Sequence, residues 1–252
     1  MSALGRPHLH LRQAGSTNER ARELAAGGAP HGTLVTASSQ SAGRGRQGRS
    51  WEAPAGSSLL MSLVLREPSD LLPLAAGVAV ARACGPQAQV KWPNDVVVSE
   101  GTGLRKLAGI LAEGRPQEGW AVLGIGLNVA VDLDELPAGL QATAATLGLA
   151  PGDVPRVRER VLAELDTALA LGDAELLEAW RERDALIGRE VDAGQAAGIA
   201  AGVDGAGRLV LELAEGGQTA VDAGEVHLRS VGQESSRFEV GLRSRPPREW
   251  RP

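Results

Sequence analysis

From Ser58 to Val129 short apolar runs alternate with residues that turn or break the backbone. Four runs, Ser58–Leu65, Val96–Val98, Leu107–Leu111 and Ala121–Val129, have the length and apolar character of strands buried in a sheet. That punctuation makes a sheet the centre of the fold. Leu71–Ala83 reads as a helix between strands. Val90-Lys91-Trp92 is cut by Pro93, which has no N–H for a central ladder, so a turn is expected there.

On the N-terminal side, Leu9–Ala14 is short and ambiguous, and Thr33–Ala37 reads as a strand. Ser16–Gly27 reads as a helix, with Ser16 and Glu19 spaced as a capping box and Gly27-Gly28 as its stop. Val157, Val161, Leu165 and Leu169 mark one face of a helix over Val154–Ala170, and Ala174–Arg183 forms another. After Asp184 the texture changes to short β-like pieces at Glu190–Asp192, Ile199–Val203, Leu209–Leu213, Thr219–Val221 and Val226–Leu228. Asp204-Gly205 and Gly216-Gly217 punctuate them, which points to a small barrel. From Gly232 onward the chain is polar, with arginine and proline, and reads as a disordered tail.

Composition removes several functional classes. The formal net charge of −5 offers no global attraction for nucleic acid. A single cysteine, Cys84, excludes an internal disulfide framework and a multi-cysteine zinc site. His8, His10, His31 and His227 do not form a helical metal-binding motif. No apolar run reaches transmembrane length and no signal-peptide pattern opens the chain, so no membrane partner and a cytoplasmic location are expected.

Of 26 basic residues only Lys91 and Lys106 are lysines, and Asn18, Asn94 and Asn128 are the only asparagines. In a chain biased towards Arg, Ala and Gly, a retained lysine suggests a crowded anion site. Lysine is a compact point charge, and the wide planar guanidinium does not replace it there. All five exceptions fall between residues 18 and 128.

Five segments stand out. Gly43-Arg44-Gly45-Arg46-Gln47-Gly48-Arg49 sets three arginines on a glycine scaffold, suited to close approach to an anion. It also matches a dinucleotide-binding glycine pattern, which needs a strand before it and a helix directly after. Pro54 and Gly56 argue against that context, and a merely solvated basic loop is a further reading. Lys91-Trp92-Pro93-Asn94-Asp95 crowds a lysine, an amide and a carboxylate into a turn; Asp95 could hold Mg²⁺, although alone the segment is an ordinary Asx-type turn. Lys106–Glu113 begins an apolar strand with a lysine that reaches a ligand or merely snorkels. Gly124–Asn128 ends a buried strand on an amide needing partners, and Ser16-Thr17-Asn18 would otherwise be plain helix capping.

In their order and spacing these segments, together with Gln40–Trp51, resemble the biotin protein ligases, strongly over about residues 15 to 130. The resemblance implies an α+β fold: a mixed β-sheet catalytic domain with packed helices, followed by an SH3-like barrel. The expected division is a biotin- and ATP-binding domain over 1–183, the barrel over 184–231 and the tail over 232–252. It implies that Ser16, Thr17, Asn18, Gln40, Gly45, Trp51 and Gly109 serve biotin, together with Arg44, Arg46 and Lys106. Arg44, Arg46, Arg49, Asn94, Asp95 and Asn128 would serve ATP, Asp95 also holding Mg²⁺. Gln47 stands where some relatives carry a third consecutive basic residue. About fifteen residues precede Ser16, too few for the helix-turn-helix that some relatives use to repress transcription, so no repressor activity is expected.

The implied chemistry is attack of the biotin carboxylate on the α-phosphate of ATP, then transfer of biotin to a lysine of a biotin carboxyl carrier protein or domain of acetyl-CoA carboxylase or a related carboxylase. Arg44, Arg46, Lys91 and Lys106 are the expected electrostatic catalysts, and no protein nucleophile is required. Loop 41–50 is expected to order over the adenylate. A homodimer is compatible with the sequence, and a DNA partner is not expected. The alternatives are a lipoate or octanoate ligase or transferase on the same scaffold, a DNA-binding regulator, and an inactive binding module.

Overall fold

Strand β3 (Ser58–Arg66) buries every residue but its last, which requires cover on both of its faces. The computed structural model, which describes residues 4–115, 118–222 and 226–228, makes it an interior strand, third from one edge, of a seven-stranded sheet. The others are β1 (His8–Leu11), β2 (Leu34–Ala37), β4 (Ala88–Lys91), β5 (Asp95–Glu100), β6 (Gly103–Arg115) and β7 (Trp120–Asn128). Their order is β1-β2-β3-β7-β6-β5-β4; only β1 and β2 are parallel, so the sheet is mixed.

The pleat sorts the side chains. On one face Leu59, Met61, Leu63 and Leu65 of β3, Leu123, Ile125 and Leu127 of β7, and Ala108 and Ile110 of β6 join the main core. Helix α2 (Leu72–Cys84) and further helices cover this face. Because α2 lies between layers, it is apolar almost all round and most of it is buried. Gly77 admits Trp180 to it: a β-carbon there would come within 2.9 Å of the indole. On the opposite face Val35, Val64, Trp120 and Val122 pack against Ala21 and Ala25 of α1 (Thr17–Ala26). Helix α1 covers only part of that face, and the remainder is floor for a cavity.

Residues 129–153, which show no sequence periodicity, carry short turns and a single-turn helix, α3 (Ala138–Gln141). Helices α4 (Val154–Leu169) and α5 (Asp173–Arg181) complete the core layer. A second, SH3-like antiparallel sheet follows: β8 (Glu190–Asp192), β9 (Ala197–Val203), β10 (Leu209–Glu212), β11 (Gln218–Val221) and β12 (His227–Leu228), in the order β11-β10-β9-β8-β12. It is tied to the first. Trp92 donates its indole N–H to the Gly207 carbonyl at 3.0 Å, and residues 183–185 hydrogen-bond to Val90 along the edge of β4.

Two expectations need adjustment. Helix α1 starts at Thr17 with Ser16 in the N-cap position, but the Ser16 side chain makes no cap hydrogen bond, so the capping box is not formed. Ser16 is buried and lines the cavity instead. Strand β6 runs well beyond Leu107–Leu111, because ladder hydrogen bonds to β5 and β7 continue through its polar ends. The expected tail, 232–252, lies outside the described residues.

Candidate active site

Lys91, Asp95, Gly109, Gly126 and Leu60 stand in one row across β4, β5, β6, β7 and β3, each paired with the next. Paired residues point to the same side of a sheet. This row faces the side that α1 leaves open, and the two glycines at its middle lower the floor. Above it is a cavity of about 480 Å³, lined by all fifteen residues nominated from the sequence.

Trp51 lies on the glycine pair. A β-carbon at Gly126 would sit 2.6 Å from the indole Cε2, and one at Gly109 would sit 3.0 Å from Cζ3. Residues 43–51 form a small hairpin that carries this ring over the sheet. Gly45 N–H donates to the Arg49 carbonyl at 2.7 Å, and Trp51 N–H donates to the Gly43 carbonyl at 3.0 Å. At its tip Gln47 adopts left-handed backbone angles, φ 55° and ψ 34°. No helix follows the glycines directly, so the dinucleotide reading loses its required context.

Lys106 crosses the same floor. Its Cε would be 3.1 Å from a β-carbon at Gly109, its ammonium lies 5.8 Å from the centre of the Trp51 ring, and it is 2.7 Å from Asp95 Oδ1. That last contact is an ion pair at hydrogen-bond distance without hydrogen-bond angles. Arg46 donates to the Asn94 amide oxygen at 3.3 Å, and Asn94 donates to the Ile110 carbonyl at 2.9 Å, which fixes the turn beside β6. Arg44 reaches within 3.8 Å of Glu113. Five cationic side chains (Arg44, Arg46, Arg49, Lys91 and Lys106) share this cavity with two carboxylates, Glu52 and Asp95. In a chain of net charge −5, that concentrates positive charge locally.

The far corner is built mainly from uncharged polar groups and is tightly hydrogen-bonded. Gln40 accepts from the Thr17 backbone N–H at 2.7 Å and lies 3.1 Å from the Thr17 hydroxyl. Asn18 donates to Glu113 at 2.9 Å and to the Leu111 carbonyl at 3.3 Å, while Ser62 donates to its amide oxygen at 2.6 Å. Thr17, Asn18 and Ser62 are buried, so each needs its partner; Gln40 and Glu113 are half-buried.

Asn128 lines the cavity but its amide is engaged by the protein: it donates to the Ala145 carbonyl at 2.9 Å and lies 3.4 Å from the Ser58 hydroxyl. Its backbone carbonyl accepts from Leu147, and the backbone of Lys106 pairs with Thr143 and Ala145. Segment 131–147 is thereby strapped to β6 and β7, bringing Leu136, Leu140 and Thr143 to the wall. Sequence reasoning missed those residues and the barrel residues Val226 and His227, which also line the cavity, as well as Ser62, which is buried and hydrogen-bonds to Thr17 and Asn18. Ser62 alone carried a signal, as a polar residue inside a buried apolar run.

Residues 11–130 match the model of the biotin/lipoate A/B protein ligase family, and residues 186–229 match the biotin protein ligase C-terminal domain. The chain is 37% identical to the biotin–[acetyl-CoA-carboxylase] ligase of Mycobacterium tuberculosis, over 86% of this chain and 87% of that one. It is 34% identical to the enzyme of that name from Paracoccus denitrificans, over 86% and 98%. A biotin protein ligase from Aquifex aeolicus, solved with biotin and ATP, superposes with a TM-score of 0.74 at 28% identity, covering 89% of this chain and 99% of that one. A cavity floored by glycines and ringed by cations, on a scaffold matched along nearly its whole length, has one consistent assignment: the chain belongs to the biotin protein ligase family.

Proposed function

We infer that this protein uses ATP to convert biotin to biotinyl-5′-AMP and then transfers biotin to a lysine of a biotin carboxyl carrier domain. The observation that carries the reading is the five-cation cavity with Lys106 lying across its glycine floor. Joining a carboxylate to a polyphosphate brings like charges together, and fixed cations lower that barrier without a protein nucleophile. In this reading the Thr17, Asn18 and Gln40 corner recognises the polar ring of biotin. Lys106 holds its carboxylate, and Arg44, Arg46, Arg49 and Lys91 hold phosphate oxygens. Trp51 covers the reacting atoms and limits water, to which the mixed anhydride is sensitive.

Mg²⁺ carried in by ATP would neutralise phosphate charge, with Asp95 as its protein ligand. One carboxylate suits a metal whose other ligands are phosphate oxygens and water. Among the described residues no cluster of three His, Cys, Asp or Glu side chains could hold a resident metal. Among them, too, no helix is long and apolar enough to cross a membrane, and the reading includes a cytoplasmic location and no DNA partner.

The test is pyrophosphate release from ATP and Mg²⁺ with biotin, lipoate or octanoate supplied separately. Release with biotin alone, with biotinyl-adenylate trapped on the protein, is expected. Release only with lipoate or octanoate would keep the scaffold and overturn the substrate.

A further inference from the structure

We propose that Asp95 competes with the substrate carboxylate for Lys106, so that the protein's own carboxylate sets how tightly an acid-bearing substrate is held. This rests on the biotin reading above. Lys106 lies across Gly109 with its ammonium 2.7 Å from Asp95 Oδ1, and Asp95 and Gly109 are directly paired across β5 and β6. The register shift opposite Val96 and Val97, which leaves Leu107 as an extra residue on β6, turns Lys106 to the same face as Gly109, so strand backbone and not a flexible loop brings the pair together. Trp51 lies 5.8 Å from the ammonium and Gly109 lies beneath its stem, so the protein bounds Lys106 on two sides.

A carboxylate entering beside Lys106 meets an ammonium already paired and a second carboxylate within reach of it. Binding must displace Asp95 or share the ammonium with it, and both cost affinity through lost pairing and like-charge repulsion. The displaced Asp95 is then available to the metal that accompanies the nucleotide. The substrate carboxylate and the metal are thus coupled through one side chain, and such coupling acts equally in both directions.

The experiment compares biotin with biotinol, in which a hydroxyl replaces the carboxylate, by calorimetry without nucleotide or metal. Wild type and Asp95→Asn are measured in parallel. The amide keeps the shape of Asp95 and removes its charge. Asp95→Asn is expected to bind biotin about two- to tenfold more tightly than wild type, in the range of partly exposed ion pairs plus relieved repulsion, with biotinol affinity unchanged. Equal or weaker biotin binding by a variant that still binds biotinol overturns the proposal. If Asp95→Asn loses biotinol as well, Asp95→Ala is measured the same way; loss of biotinol by both shows Asp95 supporting the site and also overturns it. Failure of wild type to bind either compound is a different result, which removes the biotin reading itself.

Discussion

A β-carbon at position 124 would lie 2.1 Å from Oδ1 of Asn18, so strand β7 and that amide meet with no room between them. Asn18 is held there by Ser62, Glu113 and the Leu111 carbonyl, and it cannot move aside without breaking those bonds. Gly124→Ala is expected to weaken biotin binding by about ten- to a hundredfold, the cost of one or two buried hydrogen bonds. In an Asn18→Ala background the same substitution should add little. Calorimetric titration of the two single variants and the double variant checks this, and additive losses would show that the residues act separately.

Lys106 occupies a slot bounded by Gly109 and Trp51 that suits a narrow stem ending in a point charge. Lys106→Met is expected to slow adenylation at saturating substrates by about 10²–10³-fold, the range for loss of one positioned group facing developing charge. Lys106→Arg is expected to recover little of it. Pyrophosphate release gives the rate, and near wild-type turnover by the arginine variant would refute the steric argument.

Asn128 joins the end of β7 to the strap over 131–147 through the Ala145 carbonyl. Asn128→Ala leaves that carbonyl without its donor and costs about 1–3 kcal/mol locally. Faster thermolysin cleavage within 131–150 is the expected result, with β3 and β7 still resistant. Identical cleavage patterns for variant and wild type would mean that the backbone bonds at Lys106 and Leu147 hold the strap unaided.

Asp184 is buried where the two sheets meet, and burial pushes its carboxyl above the ordinary range despite backbone N–H donors from Leu186 and Ile187. A folded-state pKa above the unfolded value means that the folded protein binds the proton more tightly. This group's contribution is therefore most favourable at acid pH and declines as pH rises through the folded pKa. Asp184→Asn, which keeps an acceptor for Leu186, is expected to unfold at higher urea than wild type at pH 7. The difference should shrink towards zero below the unfolded value of 3.8. A variant less stable than wild type at pH 7 would show that the ionised carboxylate is needed at the junction.

The element types were largely legible because they rest on local patterns. Leu71–Ala83 against Leu72–Cys84 and Ala121–Val129 against Trp120–Asn128 differ by one residue at each end. Segment 129–153 was not legible: its turns and strap are held by Asn128 and Lys106 and not by any periodicity of its own. The Ser16–Glu19 spacing misled for a related reason. It matches a capping box, but burial in the cavity wall gives Ser16 different surroundings.

By itself the sequence nominated residues that turn out to line one cavity. A chain with two lysines and three asparagines concentrates them between residues 18 and 128, in glycine-bearing segments whose order resembles one family. Only the tertiary structure decided what those residues do to each other. The row from Lys91 to Leu60, the seat of Trp51 on Gly109 and Gly126, and the pairing of Lys106 with Asp95 all depend on strand register. Register is set by long-range pairing and burial on both faces of the sheet, and a slip of one residue would turn each of these side chains to the opposite face.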